Sequence, residues 1–191
     1  MTPVPLALAV LLVPTPGTGA SMTLVAVGIA VVVLGEAIRL WGVRHIGTVS
    51  RTRSEQLGPL VASGPFAHVR NPLYLGNIAL WAGFAISAQL LWLAPIFIAV
   101  LVFEYHAIVR WEERLLDERI GDGYRAYAAV VPRWVPTFAR RARTTSRDQD
   151  FFRGSTISRP AFSWYETFYS ERGTLIAIAV GFLLLYVKDH V

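Results

Sequence analysis

No cysteine occurs in the chain, which excludes disulfides, thiolate metal sites and cysteine nucleophiles together. Charge is missing where its absence says most: residues 75 to 103 run without an Asp, Glu, Lys or Arg. The strand that must precede a dinucleotide fingerprint is missing too, so GTG at 17 to 19 and GDG at 121 to 123 read as turns. No internal repeat is visible. The apolar opening run VPLALAVLLVP, 4 to 14, lacks the basic flank and small-residue cleavage site of a signal peptide.

What is present is apolar length. Hydrophobic residues make up 54% of the 191 positions, and mean hydropathy is +0.46. The runs MTLVAVGIAVVVLG at 22 to 35 and TLIAIAVGFLLLYV at 174 to 187 flank the charge-free stretch, more than a soluble core of this size needs. At about 1.5 Å per residue, 75 to 103 is too long for one crossing of a roughly 30 Å hydrocarbon layer. The chain must turn back inside it. Pro95, favoured in the first turn of a new helix, puts a tight hairpin near 92 to 95. The expected fold is all-α: an integral membrane helical bundle with spans near 4 to 17, 21 to 42, 72 to 92, 95 to 118 and 173 to 188.

Arginine distribution orients the bundle. Every arginine lies between Arg39 and Arg172, crowding the connections 39 to 70 and 110 to 172, while 14 to 21 and 92 to 95 carry none. The positive-inside rule then places the basic connections in the cytoplasm, in a cell inner membrane with the working face inward. Net charge is +5. Because these charges flank spans, the implied partner is a bilayer with anionic headgroups rather than nucleic acid. Three parts follow: a membrane core over 1 to 139, a basic surface arm over 140 to 172 with no sustained helical period, and a last span over 173 to 191.

Two clusters carry the chemistry. In HVRNPLYLGN, 68 to 77, Asn71 reads as an N-cap and Pro72 as the first helical residue, with Tyr74 and Gly76 in the first turns. Such a helix start attracts anions, and Arg70 adds a fork that holds a carboxylate or phosphate in two bonds; the bland alternative is a capped span with a snorkelling arginine. In 106 to 136, His106, Arg110, Glu113 and Asp117 recur at spacings of four, three and four, one helical stripe. Glu112 lies about 100° round from Glu113, so the two carboxylates serve different neighbours. Glu104 falls near the bilayer middle, where an ionisable group is costly without a polar partner. Glu36 and Arg39, three apart, pair with each other or with Glu104 or His106.

Together the clusters resemble the membrane methyltransferases of the isoprenylcysteine carboxyl methyltransferase and phospholipid N-methyltransferase type. The boxes are Arg70-Asn71-Pro72-Leu73-Tyr74-Leu75-Gly76, Glu112-Glu113-Arg114-Leu115-Leu116, Gly121 to Tyr127 with Tyr124, and Val131-Pro132 through Pro136. They cover about 64 to 138. Asn71 stands where the carboxyl methyltransferases have histidine, and His68 sits two residues before the arginine.

The resemblance implies S-adenosyl-L-methionine as methyl donor and a lipophilic small molecule or lipid as acceptor, reached from the membrane. It implies a cofactor set of His68, Arg70, Asn71, Pro72, Tyr74, Gly76, Glu112 and Glu113, with Tyr124, Tyr127 and Trp134 closing over the adenine. Methyl transfer needs alignment and exclusion of water more than covalent chemistry. A carboxylate acceptor, such as an isoprenoid acid, needs a cationic anchor, Arg110 or Arg133. An amine acceptor, such as a phospholipid headgroup, needs a proton acceptor, for which Glu104, His106 or Glu113 is available. The carboxylate reading is placed first and phospholipid amine methylation second. A non-catalytic heme- or lipid-binding protein using His45, His68 and His106, and an NADPH-dependent reductase, stand as alternatives.

Overall fold

Gly28, Gly35 and Gly42 recur every seventh residue, close to two helical turns, and so share one face of the first helix. In the computed structural model, which describes Val13 and residues 21–47, 60–137 and 162–190, this helix is α1, Met22–Ile46. Its glycine face meets α2, Pro72–Ser87, running antiparallel. A Cβ added at Gly35 would lie 2.8 Å from the Gly76 carbonyl oxygen, and one at Gly83 would lie 2.7 Å from the Gly28 carbonyl oxygen. Backbone cannot yield there, so the two helices pack at a separation only glycine permits.

After a 3₁₀ turn at Gly64–Ala67 and α2 come α3, Ala94–Ile120, α4, Asp122–Val130, and α5, Trp164–His190. The described residues form an all-helical bundle in which α1, α3 and α5 are long and apolar enough to cross a membrane and α2 is a shorter apolar helix. The 4 to 17 span lies outside the described residues apart from Val13. Most of the arm, up to residue 161, lies outside them too.

Three boundaries differ from the sequence reading. The hairpin turns earlier than Pro95. Gln89 takes a left-handed conformation, φ 58°, while Gln89 N–H bonds the Ile86 carbonyl and Leu90 N–H the Ala85 carbonyl, both at 2.9 Å. This is a Schellman stop. Leu90 and Ala85 are fully buried in the core that α2, α3 and Leu185 of α5 share, so burying Leu90 outweighs the strain at Gln89. The span expected at 21 to 42 runs on to Ile46. The last helix begins at Trp164 rather than 173, because Ser163 and Glu166 form a capping box: Glu166 accepts from Ser163 N–H and its hydroxyl, 2.8 Å each, and Ser163 Oγ accepts from Glu166 N–H at 3.2 Å.

The helix directions gather the arginine-rich ends together: the C-termini of α1 and α3 and the N-termini of α2 and α5. Phe162 N–H bonds the Arg44 carbonyl at 2.8 Å, and the Arg44 guanidinium lies 4.2 Å over the Trp164 ring, which holds α5 against the end of α1.

Candidate active site at the basic end of the bundle

Arg70, at the start of α2, and Glu113, at the inner end of α3, are 43 residues apart in sequence and converge in space. Arg70 Nη1 lies 3.1 Å from Glu113 Oε1. Arg133, in the turn after α4, donates from Nε to Glu113 Oε1 at 3.0 Å and from Nη2 to Oε2 at 2.5 Å. One carboxylate therefore joins the two boxes through two guanidinium groups. That bond raises the Arg133 guanidinium above its ordinary range.

Backbone contacts fix this turn on α2. Arg70 N–H bonds the Pro132 carbonyl at 2.9 Å, and Thr137 N–H bonds the His68 carbonyl at 3.0 Å. His68 Nδ1 meets the Thr137 carbonyl at 2.9 Å. Asn71 does not cap α2 with its side chain. Its amide donates instead to the Arg133 carbonyl at 3.1 Å, so it positions the arginine that grips Glu113. Tyr74 donates to Glu112 Oε1 at 2.8 Å, and the two adjacent glutamates serve different partners, as their angular separation requires.

Above Glu113 a cleft of about 340 Å³ opens between α3, α4 and Arg133, lined by Arg110, Glu113, Arg114, Asp117, Tyr124, Arg125, Ala128 and Arg133. The stripe Arg110, Glu113, Asp117 thus faces one space. Asp117 is engaged by Arg125 at 2.8 Å. Arg110 and Arg114, which also line the cleft, make no hydrogen bond or ion pair among the described residues. The phenol of Tyr124, 5% exposed, accepts from Arg70 at 3.4 Å. Its burial, with the Glu113 charge beside it, pushes the phenol above its ordinary range.

Other expected site residues sit elsewhere. Tyr127 is buried, with its hydroxyl on the Phe66 carbonyl at 2.8 Å, inside a small core with Leu60, Ala62, Tyr124 and Val131. Gly76 belongs to the glycine seam: a Cβ there would lie 2.7 Å from the Gly35 carbonyl oxygen. Pro72 is fully buried beside Gly42. Glu104 lines an apolar groove on α3 with Ala99, Val100, Phe103, Ala107 and Ile108, not the basic cleft. His106 stacks on Trp134, ring centroids 6.4 Å apart, which puts both beside the Arg133 turn. His45 and His68 both pack around Trp41 instead, so the three histidines of the heme alternative are not gathered on one ring.

The sequence reading missed Glu171. Arg39 donates to it at 2.5 Å and also keeps the ion pair expected from spacing, with Glu36 Oε2 3.4 Å from Arg39 Nε. The signal available was the acid itself, eight residues after the unrecognised capping box.

The cleft's volume lies near the lower end for small-molecule sites. It offers guanidinium groups of the kind that hold a carboxylate and an acid of the kind that holds an amino or ribose group. A family model described as phospholipid methyltransferase matches residues 23–122, which take in the Arg70 and Glu112-Glu113 boxes. No curated protein and no solved structure matches the chain.

Proposed function

The chain belongs to the phospholipid methyltransferase family and is thus a membrane methyltransferase, and we propose that it transfers a methyl group from S-adenosyl-L-methionine to the amine of a membrane phospholipid. The observation that carries the choice of acceptor, beside the family, is Arg110 and Arg114 at the cleft, which have no ion-pair partner among the described residues. An anionic phosphate suits them, since arginine holds phosphate in paired bonds.

When bound, S-adenosyl-L-methionine supplies an electrophilic methyl on a sulfonium. Arg70, Glu113, Arg133 and Tyr124 hold the donor at the join between the boxes, and Tyr74 orients Glu112 beside it. Arg110 and Arg114 hold the acceptor's phosphate at the membrane surface. The amine must lose a proton before attack. Glu113 is already engaged by two arginines, and Glu104 faces the apolar groove. His106, one helical turn from Arg110 and packed on Trp134, takes the proton. The basic end faces the cytoplasm of a cell inner membrane, where arginine-rich connections remain.

An isoprenoid carboxylate needs the same cationic anchor but no base, which gives the test. In nanodiscs containing phosphatidylethanolamine and radiolabelled S-adenosyl-L-methionine, the chain labels the phospholipid, Arg110→Ala raises the KM for lipid and not for donor, and His106→Gln lowers kcat about 100-fold. Labelling of a farnesylated carboxylate instead, with His106→Gln fully active, would overturn the amine reading.

A further inference from the structure

Helix α5 is longer than the layer it crosses. Its 27 residues, Trp164–His190, extend about 40 Å at roughly 1.5 Å each, against a hydrocarbon thickness of about 30 Å. The chain carries no Asp, Glu, Lys or Arg from Gly173 to Val187, and Lys188 marks the far edge of that run. Counting back about twenty residues from Lys188, one span's worth, reaches Phe168. The first turn of α5 therefore stands in the headgroup layer at the basic end of the bundle. This segment lies outside the family-matched residues 23–122.

The two sides of the segment are the reverse of those of a soluble helix. Thr167 and Glu171 are buried, and Arg39 of α1 bonds Glu171 and Thr174 inside the bundle. The outer side carries Trp164, Tyr165, Phe168 and Tyr169, all exposed, Tyr165 at 79%. At about 100° per residue these four and Arg172 fall within one arc of about 140°. Trp164 and Phe168 have ring centroids 6.3 Å apart, and Tyr165 and Tyr169 6.4 Å, so the rings form two rows along the helix. Rings with an apolar body and a polar edge suit the boundary between hydrocarbon and headgroups.

Each row carries a guanidinium group. Arg44 lies 4.2 Å over Trp164. Arg172 lies 3.9 Å over Tyr169 and donates from Nη1 to the Tyr169 carbonyl at 2.8 Å. Helical side chains tilt towards the helix N-terminus, so Arg172, one turn inside the boundary, leads its charge back out to the headgroups. Neither arginine makes an ion pair among the described residues. Glu166, the exposed acid of these turns, is held by Ser163 and falls outside the arc.

We infer that the start of α5 is a recognition face for anionic phospholipid, with lipid phosphate on Arg44 and Arg172 and the upper acyl carbons against the two rows of rings. Charge sets the preference. A zwitterionic lipid brings its phosphate together with its own cation, whereas an anionic lipid presents the phosphate uncompensated to the guanidinium groups. A soluble protein partner would need the same face in water, and the length of α5 places it among headgroups instead. The inference is independent of the donor and acceptor of methyl transfer, since none of these residues lines the cleft.

The test uses the full chain in phosphatidylcholine nanodiscs with increasing fractions of phosphatidylglycerol of the same acyl chains, and reads amide exchange across 164 to 172, which separates this face from the arginines of the cleft. Phosphatidylglycerol is expected to slow exchange there. The fraction needed for half of the effect should rise about fivefold in Arg172→Gln and about 25-fold when Arg44→Gln is added, while Arg172→Lys stays close to the unaltered chain. Arg172 bonds only within its own turn, so Arg172→Gln leaves the packing of α5 in place and decides the matter even if the Arg44 variant fails to fold. Equal exchange in the two lipids, or an unshifted titration in Arg172→Gln, would overturn the inference. So would full protection by inorganic phosphate in discs of phosphatidylcholine alone, which would make the face a site for free anions.

Discussion

Replacing Glu113 by Gln keeps the side chain's volume and removes the charge that joins Arg70 to Arg133. The two guanidinium groups make contacts of 3.1, 3.0 and 2.5 Å with that carboxylate. Exposure sets the scale of the loss: 14% for Glu113 and 15% for Arg70, but 33% for Arg133. A buried pair that loses one partner costs about 3–5 kcal/mol, whereas an exposed pair is worth about 0–1 kcal/mol. Solvent reaches Arg133, so the cluster falls between these limits, at about 2 kcal/mol. If the donor binds the arrangement this carboxylate maintains, the same free energy appears in its affinity, about 30-fold in Kd. Calorimetry with S-adenosyl-L-methionine on Glu113→Gln should show that weakening, with a lower thermal midpoint in detergent. A double-variant cycle with Arg133→Gln should give a coupling of about 1–2 kcal/mol. Wild-type affinity in Glu113→Gln, or additive effects in the cycle, would refute the claim that the carboxylate organises the site.

Other consequences follow from the same geometry. Gly35→Leu should separate α1 from α2 and lower the thermal midpoint far more than Gly173→Leu, because a Cβ at Gly35 meets backbone 2.8 Å away and one at Gly173 meets nothing within 4 Å. Ser163→Ala should cost about 1 kcal/mol of local stability, read as faster amide exchange across 164 to 167, while the middle of α5 is unchanged. The raised phenol of Tyr124 favours the neutral form in the folded state. Its contribution is therefore complete below the unfolded-state value of about 10 and is lost as pH rises through the higher folded value. Tyr124→Phe should flatten the alkaline decline of the thermal midpoint, and an unchanged decline would remove the assignment.

Some of this was fixed by local sequence alone. Uninterrupted apolar length forces helices, because lipid leaves backbone groups no partner outside the helix, and the charge-free stretch 75 to 103 forces a hairpin for reasons of length. The stripe Arg110, Glu113, Asp117 follows from helical periodicity, and the separate duties of Glu112 and Glu113 follow from their angular offset. Other features needed neighbours distant in the chain. The hairpin turned at Gln89 because Leu90 could be buried there, which no propensity of Gln indicates. Asn71 reached across to Arg133 instead of capping its own helix, and Tyr127 joined a small core with Leu60, Ala62 and Val131. Arg39 met, besides the acid three residues away, a second one 132 residues on. In each case a polar or apolar group had two chemically equal choices nearby in sequence terms, and only the packing of helices against one another decided which of them lay within hydrogen-bonding reach.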